Sequence, residues 1–272
     1  MRMKTAPSDS EAQERDRQEL PFAAPCQHPD IGAPFHWLKL GLEDIKRAPR
    51  QSLSYGLSMV VISYLISAIA LEFGNFYSLL TLLSGFIFIG PVIAIGLYSI
   101  SCQLQLGQRP KLGYCLREGQ QHIGNTLLFA MIMLVVFLLW ARAASMIHVF
   151  FPMHTNPSLQ ELALFLSIGT SVGAIFSAII FCASAFSLPM IMDRKVDMIT
   201  AVVTSVNAVW QNKKVMLLWA SIIFFFVLLG FATAFIGLLI IMPLIGHATW
   251  HAYLETIDAR RWPKYTGGAK EE

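Results

Sequence analysis

Charge is what this chain has least of. Asp, Glu, Lys and Arg make up 14% of its 272 residues against 55% hydrophobic, whereas a soluble domain of this size needs a larger charged surface. The scarcity is uneven: Val215 to Leu254 contains none of the four, although Lys214 precedes it and Glu255 follows. Cysteine is also sparse. Cys26, Cys102, Cys115 and Cys182 are widely scattered, with no close pair, which excludes a disulfide framework and a thiolate zinc site. The first 20 residues, MRMKTAPSDSEAQERDRQEL, lack the compact apolar core of a secretory signal, so no cleaved leader is expected and the first true span does the targeting. There is no nucleophile elbow, phosphate loop, zincin helix or pair of catalytic carboxylates within an apolar segment. Enzyme chemistry therefore has little to stand on, and a non-enzymatic protein is expected. The net charge of +3 does not point to nucleic acid, because the basic residues sit beside apolar segments rather than on one continuous face.

What is present is a succession of apolar runs, several longer than the roughly 18 residues that mark a transmembrane candidate. The fold class expected is all-α, a polytopic membrane protein with spans over about 52–71, 77–99, 123–147, 162–190, 215–233 and 237–254. The last two divide the Val215 block. At 1.5 Å per residue that block makes about 60 Å of helix, roughly twice the hydrocarbon thickness of a bilayer, so it suits two crossings better than one. Loop charges support the division. Lys39, Lys46, Arg47 and Arg50 precede the first span, and Arg109, Lys111 and Arg117 lie between the second and third. Arg194, Lys195, Lys213 and Lys214 lie between the fourth and fifth, Arg260, Arg261 and Lys264 follow the last, and the intervening turns hold no Lys or Arg. The positive-inside rule then requires an even number of spans with both termini cytoplasmic, the Val215 block turning near Thr233 to Gly237.

The spans group into three hairpins, each preceded by a cytoplasmic amphipathic surface helix. In the first such helix Leu38, Gly41, Leu42 and Ile45 share a face opposite Lys39, Glu43, Lys46 and Arg47; the second covers Lys111 to Gln121. The third carries the stripe Ile199, Val202, Val203, Val206 and Val209 and ends near Asn212. Pro91, Pro189 and Pro243 fall on the returning spans, and Leu40-Gly41 resembles Leu112-Gly113, which suggests a threefold internal duplication. Residues 1–34 read as a disordered cytoplasmic tail, 35–258 as the membrane domain and 259–272 as a second cytoplasmic tail. Arg142 is placed to snorkel to the outer headgroups. Gly169-x3-Gly173-x3-Ser177 forms a groove for an approaching helix.

One constellation offers chemistry. His247 and His251 are four residues apart, so they share a helical face near the cytoplasmic end of the sixth span. Asp193 and Asp197 are also four apart, just past the cytoplasmic end of the fourth. Two imidazoles and two carboxylates in one leaflet make a candidate metal site for zinc, iron or manganese, or the histidines stand near a haem. The structural alternative has Trp250 and Tyr253 as interfacial belt residues, the histidines bonded to neighbouring helices and the aspartates capping the third surface helix.

Ser187-Leu-Pro189 with Asp193-Arg194 and Asp197, and His247-Ala-Thr-Trp-His251-Ala-Tyr253, resemble a bacterial inner-membrane family, domain of unknown function 2189. Further points of likeness are Trp37-Leu38 with Gly41 and Asp44, Ser84-Gly85-Phe86 with Gly90-Pro91, and Leu218-Trp219, so the resemblance covers about residues 35–258. It implies an integral membrane protein of the bacterial inner membrane and brings no substrate, ligand or site residue. Three functions are compatible with this reading. The first is a non-enzymatic scaffold, assembly factor or small-solute or lipid-handling protein, without cofactor, surrounded by lipid and open to a membrane-protein partner or a second copy. The second is a metal- or haem-binding respiratory accessory subunit using His247 and His251. The third is a secondary transporter.

Overall fold

A computed structural model describes residues 21–73, 76–113, 115, 123–150 and 158–264. Its elements are α1 (Ala33–Arg47), α2 (Pro49–Phe73), α3 (Phe76–Gln105), α4 (Ile123–Phe150), α5 (Leu159–Ser184), α6 (Ser187–Asp193), α7 (Met198–Gln211), α8 (Lys213–Ala232) and α9 (Leu238–Thr256). Among the described residues there is no strand, only two isolated bridges, Cys26 to Ile257 and Arg194 to Lys264. Four helical segments are long and apolar enough to cross a membrane: Pro49–Ile69, Ile123–Ile147, Leu159–Asp193 and Lys213–Ala232. The protein is thus an all-helical membrane protein.

Local chemistry sets the helix ends. Ser158 and Glu161 open α5 with a capping box: Ser158 Oγ accepts from the Glu161 N–H at 3.2 Å, and Glu161 Oε2 accepts from the Ser158 N–H at 2.9 Å. Ser158→Ala is expected to cost about 1 kcal/mol, read as faster amide exchange in the first turn of α5. The segment expected as one continuous span over 162–190 is broken at Ala185-Phe186. Pro189 explains the break, since its ring would collide with the carbonyl four residues back and it has no N–H to donate. Ser205 of α7 repairs the exposed backbone, its hydroxyl accepting from the Phe186 N–H at 3.1 Å and donating to the Cys182 carbonyl at 2.7 Å.

The Val215 block divides where expected. Thr233 to Gly237 is a turn in which Ala234 and Phe235 take positive φ, the Phe235 N–H donates to the Gly230 carbonyl at 3.0 Å, and the Gly237 N–H donates to Thr233 Oγ1 at 2.9 Å. The helix that follows, α9, organises the rest: α1, α2, α3 and α8 all pack on it. The approach is closest at two glycines. A Cβ on Gly41 would stand 2.9 Å from the Ala248 backbone nitrogen, and one on Gly56 2.0 Å from the Leu239 carbonyl oxygen. The groove expected at Gly169, Gly173 and Ser177 is not used in this way: a Cβ on Gly169 would meet nothing within 4 Å, and one on Gly173 only the Trp140 ring edge at 4.0 Å. Likewise Gly113 has open space where its supposed counterpart Gly41 is tightly enclosed.

The core gathers around α9 and the helices packed on its later turns. Trp37, Trp219, Trp250, Tyr253 and Phe186 are fully buried there, and Trp37 meets Trp219 edge to face at 5.6 Å. None of the most apolar 18-residue window of Leu159–Asp193 is buried. Many of its side chains are exposed and the rest half-buried, and apolar surface facing acyl chains needs no protein cover.

Two expectations need correction. First, α1 is not simply laid on a membrane surface: Trp37, Gly41, Asp44 and Ile45 are buried and Leu42 is exposed, because Trp37 and Asp44 find polar partners on α3 and α9. Second, residues 21–34 are not a free tail. The Gln27 N–H donates to the Thr256 carbonyl at 2.8 Å, the Asp258 N–H to the Pro25 carbonyl at 2.9 Å, and the Ala24 N–H to Thr204 Oγ1 at 3.0 Å. The far end is tied similarly, with Trp262 buried and the Lys195 N–H donating to the Pro263 carbonyl at 2.9 Å. On α7, Met198, Thr200, Ala201, Thr204, Ser205, Ala208 and Val209 are buried, while Ile199 and Val206 of the apolar stripe are exposed. Most of the expected helix over Lys111 to Gln121 lies outside the described residues.

Candidate functional site

Asp44 is a carboxylate on the buried side of α1. Its Oδ2 accepts from Ser101 Oγ of α3 at 2.8 Å and lies 2.8 Å from His251 Nε2 of α9. Ser101 Oγ is also 2.7 Å from His247 Nδ1, and His247 Nε2 is 2.9 Å from Ser52 Oγ of α2. The five side chains form one continuous line, Ser52, His247, Ser101, Asp44, His251, drawn from four helices. Ser52, Ser101 and His247 are completely buried, and Asp44 nearly so.

The inventory of donors sets the polarity of that line. Ser101 has a single hydroxyl hydrogen and gives it to the Asp44 carboxylate, which only accepts. The Ser101 oxygen must then receive the Nδ1–H of His247. With its one proton there, the imidazole leaves Nε2 as an acceptor for the Ser52 hydroxyl, and the His251 Nε2–H completes the shell of Asp44. Every member is satisfied at 2.7–2.9 Å, which a buried polar group requires if it is not to lose the free energy of its hydration.

Two smaller arrangements flank the line on α9. Tyr253 Oη donates to Asp193 Oδ2 at 2.9 Å, where Arg194 Nε also donates at 2.7 Å. Trp37 Nε1 donates to Glu255 Oε2 at 2.6 Å, closing the α1 side. Asp197 caps α7, accepting from the Thr200 N–H at 2.9 Å and its hydroxyl at 2.8 Å. Beyond α9, Arg260 grips both oxygens of Asp258 and holds its carboxyl down to about 2. A carboxyl lowered in the folded state contributes above its ordinary range and loses that contribution as pH falls toward 2. Burial pushes the Cys26 thiol up, partly offset by Asn207.

Residues 79–193 match a family described as predicted integral membrane protein, DUF2189. Comparison with curated proteins and with solved structures finds no match. The DUF2189 stretch is shorter than the 35–258 indicated by the motifs. It contains Ser101 and Asp193, whereas Asp44, Ser52, His247 and His251 lie outside it.

The four residues singled out for metal thus have separate partners. His247 and His251 do join one site on one face of α9, but the carboxylate they share it with is Asp44. Asp193 binds Tyr253 and Arg194, and Asp197 binds its own helix. Among the described residues no group of three or more His, Cys, Asp or Glu is arranged to hold a metal. Sequence reasoning missed Asp44, Ser52 and Ser101 as site residues. A signal for Asp44 was available: Trp37, Gly41, Asp44 and Ile45 fall at helical spacing, which puts a carboxylate on the side that carries the largest apolar residue of α1. Ser52 and Ser101 carry no such mark, since serines within apolar helices commonly bond their own backbone.

Proposed function

We propose that this is a non-enzymatic protein of the bacterial inner membrane, with six spans in three hairpins and both termini cytoplasmic, whose work is structural: scaffolding or assembly rather than turnover. The reading is supported above all by the polar line from Ser52 to His251, which ties α1 to α2, α3 and α9 through four side-chain hydrogen bonds. Such a site is built to hold helices in register, as buried polar groups do when they specify packing. The histidines serve it as hydrogen-bonding groups. Purified protein should therefore show neither a Soret band nor stoichiometric metal by elemental analysis; either one would restore the ligand reading, and turnover of a soluble substrate that depends on His247 would overturn the structural one.

The count of six adds α3, 30 residues long, and α9, 19 residues long, to the four apolar segments. About 20 helical residues cross the hydrocarbon core, so each has the length. Reporter fusions after Asn75, Asn156 and Phe235 are expected to report the periplasm and a fusion after Ile257 the cytoplasm. A periplasmic signal after Ile257 would reduce the count and reverse the assignment of α9.

A further inference from the structure

The corner between α7 and α8 combines features that packing within the chain leaves unused. On α7, Ile199, Val206 and Trp210 recur at helical spacing and are 58%, 41% and 69% exposed. The opposite face of the helix is the one buried in the protein. Lys213 and Lys214 follow at once, both exposed, as the first two residues of the apolar segment Lys213–Ala232. Lys213 Nζ stands 3.9 Å from the centroid of the Trp210 ring. Among the described residues neither lysine makes an ion pair, while the carboxylates nearest in sequence are engaged elsewhere, Asp193 by Arg194 and Tyr253 and Asp197 by Thr200. The corner is also rigidly built: the buried Asn212 side chain donates to the carbonyls of Gln27 at 3.1 Å and Ala208 at 3.0 Å, and its oxygen lies 3.0 Å from His28 Nδ1.

The start of an apolar segment that crosses the hydrocarbon core lies at the depth of the headgroups. Two ammonium groups without carboxylate partners at that depth, beside an exposed indole and an apolar stripe running along the surface, match the phosphates and outer acyl region of one leaflet. We infer that the α7–α8 corner binds anionic phospholipid, Lys213 and Lys214 holding the headgroup phosphate while Trp210, Val206 and Ile199 rest on the lipid beneath it. The inference holds whichever side of the bilayer the corner faces, so it stands or falls separately from the topology.

Tryptophan quenching by brominated lipid tests it on the full chain in phosphatidylcholine vesicles containing a minority of phosphatidylglycerol. Of the six tryptophans, Trp37, Trp219, Trp250 and Trp262 are buried, and subtracting the signal of Trp210→Phe isolates Trp210. Bromine carried on phosphatidylglycerol is expected to quench Trp210 up to about thirtyfold more per molecule than bromine carried on phosphatidylcholine, the enrichment two lysines at a membrane surface produce. The excess should fall to near parity in K213Q/K214Q and persist in K213R/K214R, which keeps the charge and controls for folding. Equal quenching by the two lipids in the unsubstituted protein, or an excess that survives K213Q/K214Q, would overturn the inference.

Discussion

Replacing Asp44 by leucine is expected to destabilise the folded protein by about 3–5 kcal/mol, since two hydrogen bonds to a buried carboxylate, each worth about 1.5–3 kcal/mol, are lost together. Leucine branches at Cγ as aspartate does but is bulkier, so overpacking of the buried position adds to the loss of its polar partners. The Ser101 hydroxyl, buried and bonded to Asp44 at 2.8 Å, and the partly buried His251 Nε2, also at 2.8 Å, lose their acceptor. Asp44→Asn keeps one carbonyl oxygen and should cost less, while Ser52→Ala at the other end removes a single neutral hydrogen bond and should cost about 1 kcal/mol. Thermal unfolding in a mild detergent gives the order, and limited proteolysis adds a sharper readout: in Asp44→Leu the segment 21–47 should become cleavable before the spans do. Equal stability of Asp44→Leu and the parent would show that the line contributes nothing to the fold.

The second large effect is expected at Gly56. Its missing Cβ would sit 2.0 Å from the Leu239 carbonyl oxygen and 2.8 Å from the carbonyl carbon, so even alanine forces two helix backbones apart. The cost should reach the upper end of the range for overpacking, about 3 kcal/mol. Gly90 is the matching control, because a Cβ there meets nothing within 4 Å. Gly90→Ala removes a flexible residue from the interior of α3 and should leave stability unchanged or raise it by up to about 1 kcal/mol. If the two substitutions behave alike, α2 and α9 do not cross at Gly56.

Long-range order in the sequence was legible where it depends on hydropathy alone. The apolar segment of α4 runs Ile123–Ile147, as its composition indicates, and the uncharged Val215 block breaks between Thr233 and Gly237, where its length near 60 Å suggested a division. The shared face of His247 and His251 was legible for the same reason, helical spacing being a local property. Partnership was not. Asp44 and His251 are separated by 207 positions, and nothing local distinguishes a carboxylate that will meet a histidine from one that will cap a helix, as Asp197 does. Small-residue spacing misled in a related way. It identified a groove on α5 that only the Trp140 side chain reaches, while the close backbone approaches occur at Gly41 and Gly56, because periodicity tells which residues share a face and not whether another backbone will come to it.

The separation between Asp44 and its partners on α9 also sets a timetable. At ribosomal speeds of roughly 5–20 residues per second, the 207 positions that follow Asp44 take roughly 10–40 s to emerge. Throughout that interval α1 can meet α2 and α3 but lacks the α9 face it docks on, and Asp44 lacks His251, so the helices made first wait for the one that joins them. Assembly of this protein is closed by its last helix.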